Sequence, residues 1–255
     1  MFMKRLISVF ALVCGLCCGC GASVKDYVVE VVREYPHSTD AYTQGLFFYR
    51  DTLRESTGGY GNSFFRSVDL QSGETLNRMN FARKYFGEGS VVLGDNLYVL
   101  TWESNVAFVY DADTREYRGS YSFPREGWGL TTDGESLIAS DGSAHLYFLD
   151  PEMKLRRTVR VTLNDHSVRY LNELEWIDGR IWANVYTTDW ILIINPRDGK
   201  VEGRIDCSGL LPQNLRTAST DVLNGIARDP STGKIYLTGK NWPRLYEIKI
   251  IPSKK

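Results

Sequence analysis

Short apolar runs separated by polar turns fill the chain between Tyr27 and Ile251. Val91-Val92-Leu93 and Leu97-Tyr98-Val99-Leu100 flank Gly94-Asp95-Asn96, and Val106 to Tyr110, Leu146 to Leu149 and Ile191 to Ile194 are runs of the same kind. Asp113-Thr114-Arg115, Asp150-Pro151 and Pro196-Arg197-Asp198-Gly199 follow them, residues suited to tight turns. The pattern predicts an all-β chain of short strands.

The runs also recur in order. Gln44-Gly45-Leu46 leads to Asp51-Thr52-Leu53, Glu88-Gly89 to Gly94-Asp95, Trp128-Gly129-Leu130 to Asp133-Gly134, Asn172-Glu173-Leu174 to Asp178-Gly179, and Asn224-Gly225-Ile226 to Thr232-Gly233. The copies start at residues 44, 88, 128, 172 and 224, in steps of 44, 40, 44 and 52. A period near this length, with several short strands in each unit, is the signature of four-stranded propeller blades. Five copies predict a five-bladed β-propeller. Tyr27 to Tyr35 reads as an additional strand, and the last copy, ending at Arg244 to Ile251, is short of a blade. An N-terminal strand completing that blade would close the ring and remove its exposed edges. The longest step contains Asp206 to Asp221, either a flap or an insertion.

Composition narrows the picture. The 255 residues are 43% hydrophobic, enough for one cored unit, and 15 Tyr, 11 Phe and 6 Trp suit strand surfaces. A formal net charge of −1 gives no basis for binding nucleic acid or an anionic membrane surface. Lys4 and Arg5 precede an apolar run from Leu6 to Leu16, the form of a secretory signal, and Leu16-Cys17-Cys18-Gly19-Cys20 resembles a bacterial lipoprotein box with Cys20 as the lipidated residue. The expected organisation is a signal over 1–20, a tether over 21–26 and one propeller over 27–255. It implies an exported protein of the bacterial envelope or periplasm, touching membrane only through Cys20. Of the cysteines, 14, 17, 18 and 20 belong to the leader, leaving Cys207 alone in the body as a small buried filler with no disulfide partner.

In a propeller, the start of the first strand and the end of the second strand of each blade face one rim. That rim is expected to gather Gln44, Glu88, Trp128, Asn172, Glu173 and Asn224 from strand starts, and Glu55, Trp102, Asp141, Tyr186 and Lys240 from strand ends. Unlike residues at equivalent positions point to a site, since a purely structural repeat would reuse one residue. Trp176, Trp182, Trp190 and Trp242 are expected in the core. Glu173 and Glu175 alternate with Leu174 and Trp176, so one of them is expected to face the channel or solvent simply by strand geometry.

These motifs resemble a family. Tyr42-Thr43-Gln44-Gly45-Leu46, Tyr85-Phe86-Gly87-Glu88-Gly89, Gly127-Trp128-Gly129-Leu130, Asn172-Glu173-Leu174-Glu175-Trp176, Trp182-Ala183-Asn184-Val185-Tyr186, Leu223-Asn224-Gly225 and Gly239-Lys240-Asn241-Trp242 are similar to those of the plant and bacterial glutaminyl-peptide cyclotransferases. The resemblance runs from about Tyr42 to Ile248. It implies a five-bladed propeller that converts the N-terminal glutamine of peptides or proteins to pyroglutamate and ammonia without a metal; no cofactor is expected, and a monomer is the expected state. It assigns catalysis to Glu88 and the substrate pocket to Gln44, Phe86, Trp102, Trp128, Asn172, Tyr186 and Lys240, with Tyr42, Glu173 and Asn224 as secondary candidates. Tyr186 stands where other members carry Trp, and Tyr42 where they carry Phe.

The chemistry asks for such residues independently. A substrate α-amine, with an ordinary pKa of about 7.7 to 8.0, must lose a proton before it attacks, and the departing ammonia must gain one. One carboxyl can do both. His37, His145 and His166 show no ligand spacing, and there is no His-Glu-x-x-His, Gly-x-Ser-x-Gly or phosphate-binding motif. His37-Ser38-Thr39-Asp40 is expected to order the first blade. A non-catalytic envelope propeller binding a peptide or ligand at the same rim would need the aromatic walls but not Glu88, Lys240 and the amides together. Ammonia release separates the two readings.

Overall fold

The computed structural model describes residues 23–254. The leader and Cys20 lie outside the described residues. The N-terminal strand β1 (Lys25–Pro36) is longer than the expected Tyr27–Tyr35. The first sheet contains β2 (Thr43–Tyr49), β3 (Thr52–Thr57), β4 (Phe64–Val68) and β5 (Thr75–Asn80), and the second β6 (Gly87–Leu93), β7 (Asn96–Thr101), β8 (Val106–Asp111) and β9 (Tyr117–Ser122). The third contains β10 (Leu130–Thr132), β11 (Leu137–Ser140), β12 (His145–Leu149) and β13 (Leu155–Arg160). A small hairpin, β14 (Thr162–Leu163) and β15 (His166–Ser167), follows.

The remaining strands are β16 (Leu171–Ile177), β17 (Arg180–Val185), β18 (Trp190–Ile194), β19 (Val201–Asp206), β20 (Leu223–Arg228), β21 (Ile235–Gly239) and β22 (Arg244–Pro252). They form one eight-stranded sheet with β1, in the order β16-β17-β18-β19-β1-β22-β21-β20. It consists of two antiparallel four-stranded halves. β1 pairs antiparallel with β22 from Tyr27 opposite Pro252 to Pro36 opposite Arg244, and parallel with β19 over Lys25 to Val28. The last copy is thus completed by the N-terminal strand.

Burial explains the order within each unit. First strands such as β2 and β6 are buried on both faces through most of their length, whereas the fourth strands β5, β9 and β13 are mostly exposed and carry Arg78, Arg118, Arg156 and Arg157. Charged outer strands discourage pairing with another sheet. Hairpins between first and second strands are tight: Asp178 (φ 48°) and Gly179 (φ 76°) join β16 to β17 in the left-handed conformation that matches strand twist. The first strands neighbour one another in cyclic order: β2 beside β6, β6 beside β10, β10 beside β16, β16 beside β20, and β20 beside β2.

Apolar clusters fill the space between units. One joins Ile191, Ile205, Ile226 and Leu237 with Cys207, Leu210 and Leu211. Leu210 and Leu211 are buried, so this part of the Asp206–Asp221 segment is core rather than flap. Cys207 is buried there, and burial pushes its thiol far above the usual range. Trp182 and Trp242 are core residues, whereas Trp176 and Trp190 are only half-buried. His37 ties the first sheet to the last unit, through Nδ1 to the Trp242 carbonyl at 2.7 Å and Nε2 to Glu55 at 3.0 Å.

Candidate active site

At four of the five first-strand starts, Trp128 being the exception, the candidate residues owe their direction to a break in register. β2 places Thr43 opposite Thr57 but Gly45 opposite Ser56, so Gln44 is an extra residue. β6 places Gly87 opposite Thr101 and Ser90 opposite Val99, and the same surplus occurs between Leu171 and Leu174 and between Leu223 and Ile226. These are β-bulges, which bend a strand and re-aim one side chain out of its alternation. Glycines beside them let the first strands crowd together. A Cβ on Gly129 would lie 2.0 Å from the Asn172 carbonyl oxygen, and one on Gly89 2.5 Å from the Leu130 amide.

The result is a pocket of about 230 Å³ whose floor is formed by Gln44, Glu88 and Asn172. At ~30 Å³ per water, that is room for one side chain rather than a strand of peptide. Its walls form a closed circuit. Tyr42 meets Phe86 edge-on at 6.2 Å, Phe86 meets Trp102 at 5.5 Å, and Trp128 meets Tyr186 at 5.5 Å. Lys240 Nζ closes the other side, 4.7 Å from the Tyr42 ring centre and 4.9 Å from that of Tyr186. Between the tryptophans stands Glu126, whose Oε2 accepts the indole N–H of Trp102 at 2.9 Å and of Trp128 at 3.0 Å.

Electrostatics set the floor apart. Gln44 Nε2 donates to Glu88 Oε1 at 3.0 Å, while Glu88 Oε2 makes no hydrogen bond among the described residues. Burial drives the Glu88 carboxyl well above the usual carboxylate range; Lys240 opposes this and Glu126 adds to it. Burial likewise lowers the Lys240 ammonium, against the carboxylates of Glu88 and Asp221. The Tyr42 hydroxyl donates to Asp221 at 2.8 Å. The Asn172 side-chain amide has no hydrogen-bond partner among the described residues, and its Oδ1 is shut off from solvent. A buried polar group left so is costly unless something else meets it.

Some rim candidates stand elsewhere. Asn224 lies behind the floor, donating through Nδ2 to Gln44 Oε1 at 3.2 Å and to the Thr43 carbonyl at 2.9 Å. Glu173 does not line the pocket; it spans the channel, accepting the Leu46 amide at 3.2 Å and the Ile226 amide at 2.9 Å. Glu175 is also buried and accepts the Arg228 amide at 3.0 Å, with its pKa raised by burial to about 8. Both carboxylates are therefore interior, as residues two apart on one strand are by alternation. Asp141 accepts the Tyr147 hydroxyl at 2.7 Å outside the pocket.

Glu55 is not at the rim. It lies two residues inside the end of β3 and is fully buried, 2.6 Å from Arg66 Nη2 and accepting Arg66 Nε at 2.7 Å, with Nη2 out of hydrogen-bonding line. The rim position equivalent to Trp102, Tyr186 and Lys240 is Gly58, where a Cβ would lie 2.1 Å from the Phe86 ring. Sequence reasoning missed Glu126 and Asp221. The available signal for Glu126 was a carboxylate two residues before a motif tryptophan. Among the described residues, no group of three or more His, Cys, Asp or Glu is placed to hold a metal ion.

A sequence model of the family described as glutamine cyclotransferase matches residues 8–250. A glutaminyl-peptide cyclotransferase of Arabidopsis thaliana is 46% identical over 231 residues, spanning 87% of this chain and 71% of that protein. The crystal structure of Myxococcus xanthus glutaminyl cyclase superposes with a TM-score of 0.85 at 35% identity, over 91% of this chain and all of the other.

Proposed function

The chain belongs to the glutamine cyclotransferase family, and on that premise we propose that its pocket converts the N-terminal glutamine of a peptide or protein to pyroglutamate with release of ammonia. The observation that carries the mechanism is Glu88 on the floor of the aromatic pocket, with Oε1 held by Gln44 and Oε2 untied. Oε2 takes a proton from the substrate α-ammonium. The freed amine attacks the side-chain amide carbon, forming the ring C–N bond. The tetrahedral intermediate collapses as Glu88 returns the proton to the amide nitrogen, and the ring nitrogen gives up its remaining surplus proton through Glu88 to the departing ammonia, which leaves as ammonium. A carboxyl with a raised pKa suits both transfers.

The other residues act on geometry and charge. Lys240 and the unpartnered Asn172 amide are placed to receive the developing oxyanion, and Gln44 keeps Glu88 in line. Ring closure is intramolecular, so the gain from the walls is to hold the glutamine folded back on its own amine and to exclude water. Tyr42 and Tyr186 offer ring faces suited to a cationic amine. We read the fold as a five-bladed ring closed by β1; the cyclic contact of the five first strands supports it.

Assay of pyroglutamate and ammonia from a Gln-initiated dipeptide, across pH and with a metal chelator, tests the reading. Turnover is expected to be indifferent to chelation. kcat/KM should climb with pH as Glu88 loses its proton, with the acidic limb lying above the ordinary Glu value of about 4.3. Activity abolished by chelator, or an acidic limb at the ordinary value, would sink this mechanism.

A further inference from the structure

Glu126 is the side chain that joins the two tryptophan walls among the described residues, beside a backbone bond from the Gly127 amide to the Trp102 carbonyl at 3.1 Å. Trp102 follows β7 of the second sheet and Trp128 precedes β10 of the third. Each indole is fixed on its own flank: Trp102 against Phe86, and Trp128 against Tyr186 and over Gly142, where a Cβ would lie 2.7 Å from the ring. Among the described residues no aromatic contact joins one indole to the other. The indole rings themselves share Oε2 of Glu126, which accepts both N–H groups, well within a carboxylate oxygen's capacity.

We infer that Glu126 is a positioning residue for cyclisation, its carboxylate bracing both indoles as a single wall that presses the substrate glutamine into its folded-back conformer. The inference rests on the reading of this pocket as the site of ring closure. Hydrogen bonds to a charged acceptor are roughly twice as strong as neutral ones and hold direction accordingly. Glu126 itself is exposed, so its contribution to folding is small while its hold on the pocket is not. Its charge also reaches Glu88, adding to burial and opposing Lys240. Arg125 does not neutralise it, since that guanidinium sits 3.8 Å from the Tyr147 ring centre and 5.4 Å from that of Phe123.

The test compares E126A and E126Q with wild type on a Gln-initiated dipeptide, with Glu88→Gln assayed alongside. E126A should lower kcat/KM about thirtyfold, mostly through kcat, because misplaced walls disfavour the reactive conformer. E126Q still offers one oxygen to both indoles, and should fall only about threefold from the lost charge assistance. Its acidic limb should move to lower pH, since a negative charge near Glu88 has gone. In NMR spectra of the folded variants, two of the six indole N–H signals should move in E126A and move part-way in E126Q. If E126A does not fold, the isosteric E126Q carries the pH and NMR readouts. An E126A enzyme within twofold of wild type, equal losses in both variants, or two unmoved indole signals would each overturn the inference. If Glu88→Gln also keeps full turnover, the pocket reading fails with it; if only the Glu126 variants are silent, the inference fails alone.

Discussion

Glu88→Gln is expected to lower kcat by about a hundredfold to ten-thousandfold, the usual range for loss of a proton-transferring group. The substitution is isosteric, keeps an oxygen to accept from Gln44 Nε2, and removes only the capacity to exchange a proton. KM should change little, since the aromatic walls and Lys240 are untouched. The folded state should survive. Burial raises the pKa of Glu88, so the native state holds this proton more tightly than the unfolded chain does. Such a group favours folding below its unfolded value of about 4.3 and disfavours it as pH rises through the folded value. At neutral pH the carboxyl is therefore a cost that the amide does not carry, partly offset because Lys240 loses a nearby anion. Single-turnover assays and thermal unfolding would check both halves. A variant that unfolds, or one that retains a third of wild-type turnover, would contradict the assignment.

Glu55→Ala is expected to cost about 3–5 kcal/mol of stability without touching the pocket, because it strands the buried Arg66 guanidinium. Against a typical total of 5–15 kcal/mol, that is a large fraction. Burial alone would raise the Glu55 pKa, but Arg66, His37 and the hydroxyl of Thr43, which donates at 2.7 Å, together hold it well below the usual range. A depressed pKa contributes stability that is present above the unfolded value of about 4.3 and lost as pH falls toward the folded one. The wild type should thus weaken steeply in acid, and the Ala variant should show a flatter curve there. Urea titrations at several pH values would measure it. A loss under 1 kcal/mol at neutral pH would mean that Arg66 finds another partner.

The repeat was legible because its bulges recur. A residue that must leave the ladder, followed by a glycine that lets neighbouring strands approach, leaves the same mark at Gln44, Glu88 and Asn224. Trp128 carries the glycine without the bulge, since β10 begins only at Leu130. One finer reading failed at a strand end. Counting back from the end of β3 assigned Glu55 to the rim, although the strand continues to Thr57 and the rim place falls to Gly58. Glu173 and Glu175, two residues apart on β16, are both buried, as a period of two requires. Glu126 was missed for a different reason: it belongs to no repeat, and its one local mark, a place two residues before Trp128, does not set an exposed glutamate apart from a solvated one. Its role comes from two indoles brought to it by different sheets.

The pairing of β1 with β22 has a consequence for how the chain reaches its native state. Tyr27 opposes Pro252, so this contact spans nearly the whole described sequence. Closing so long a loop is entropically unfavourable, and chains dominated by distant pairings fold slowly. The last seam cannot be sewn until the C-terminal strand has been made. A nascent or truncated chain lacking β22 would leave β1 without its antiparallel partner and the end of the array open, a state ready to recruit a strand from another molecule.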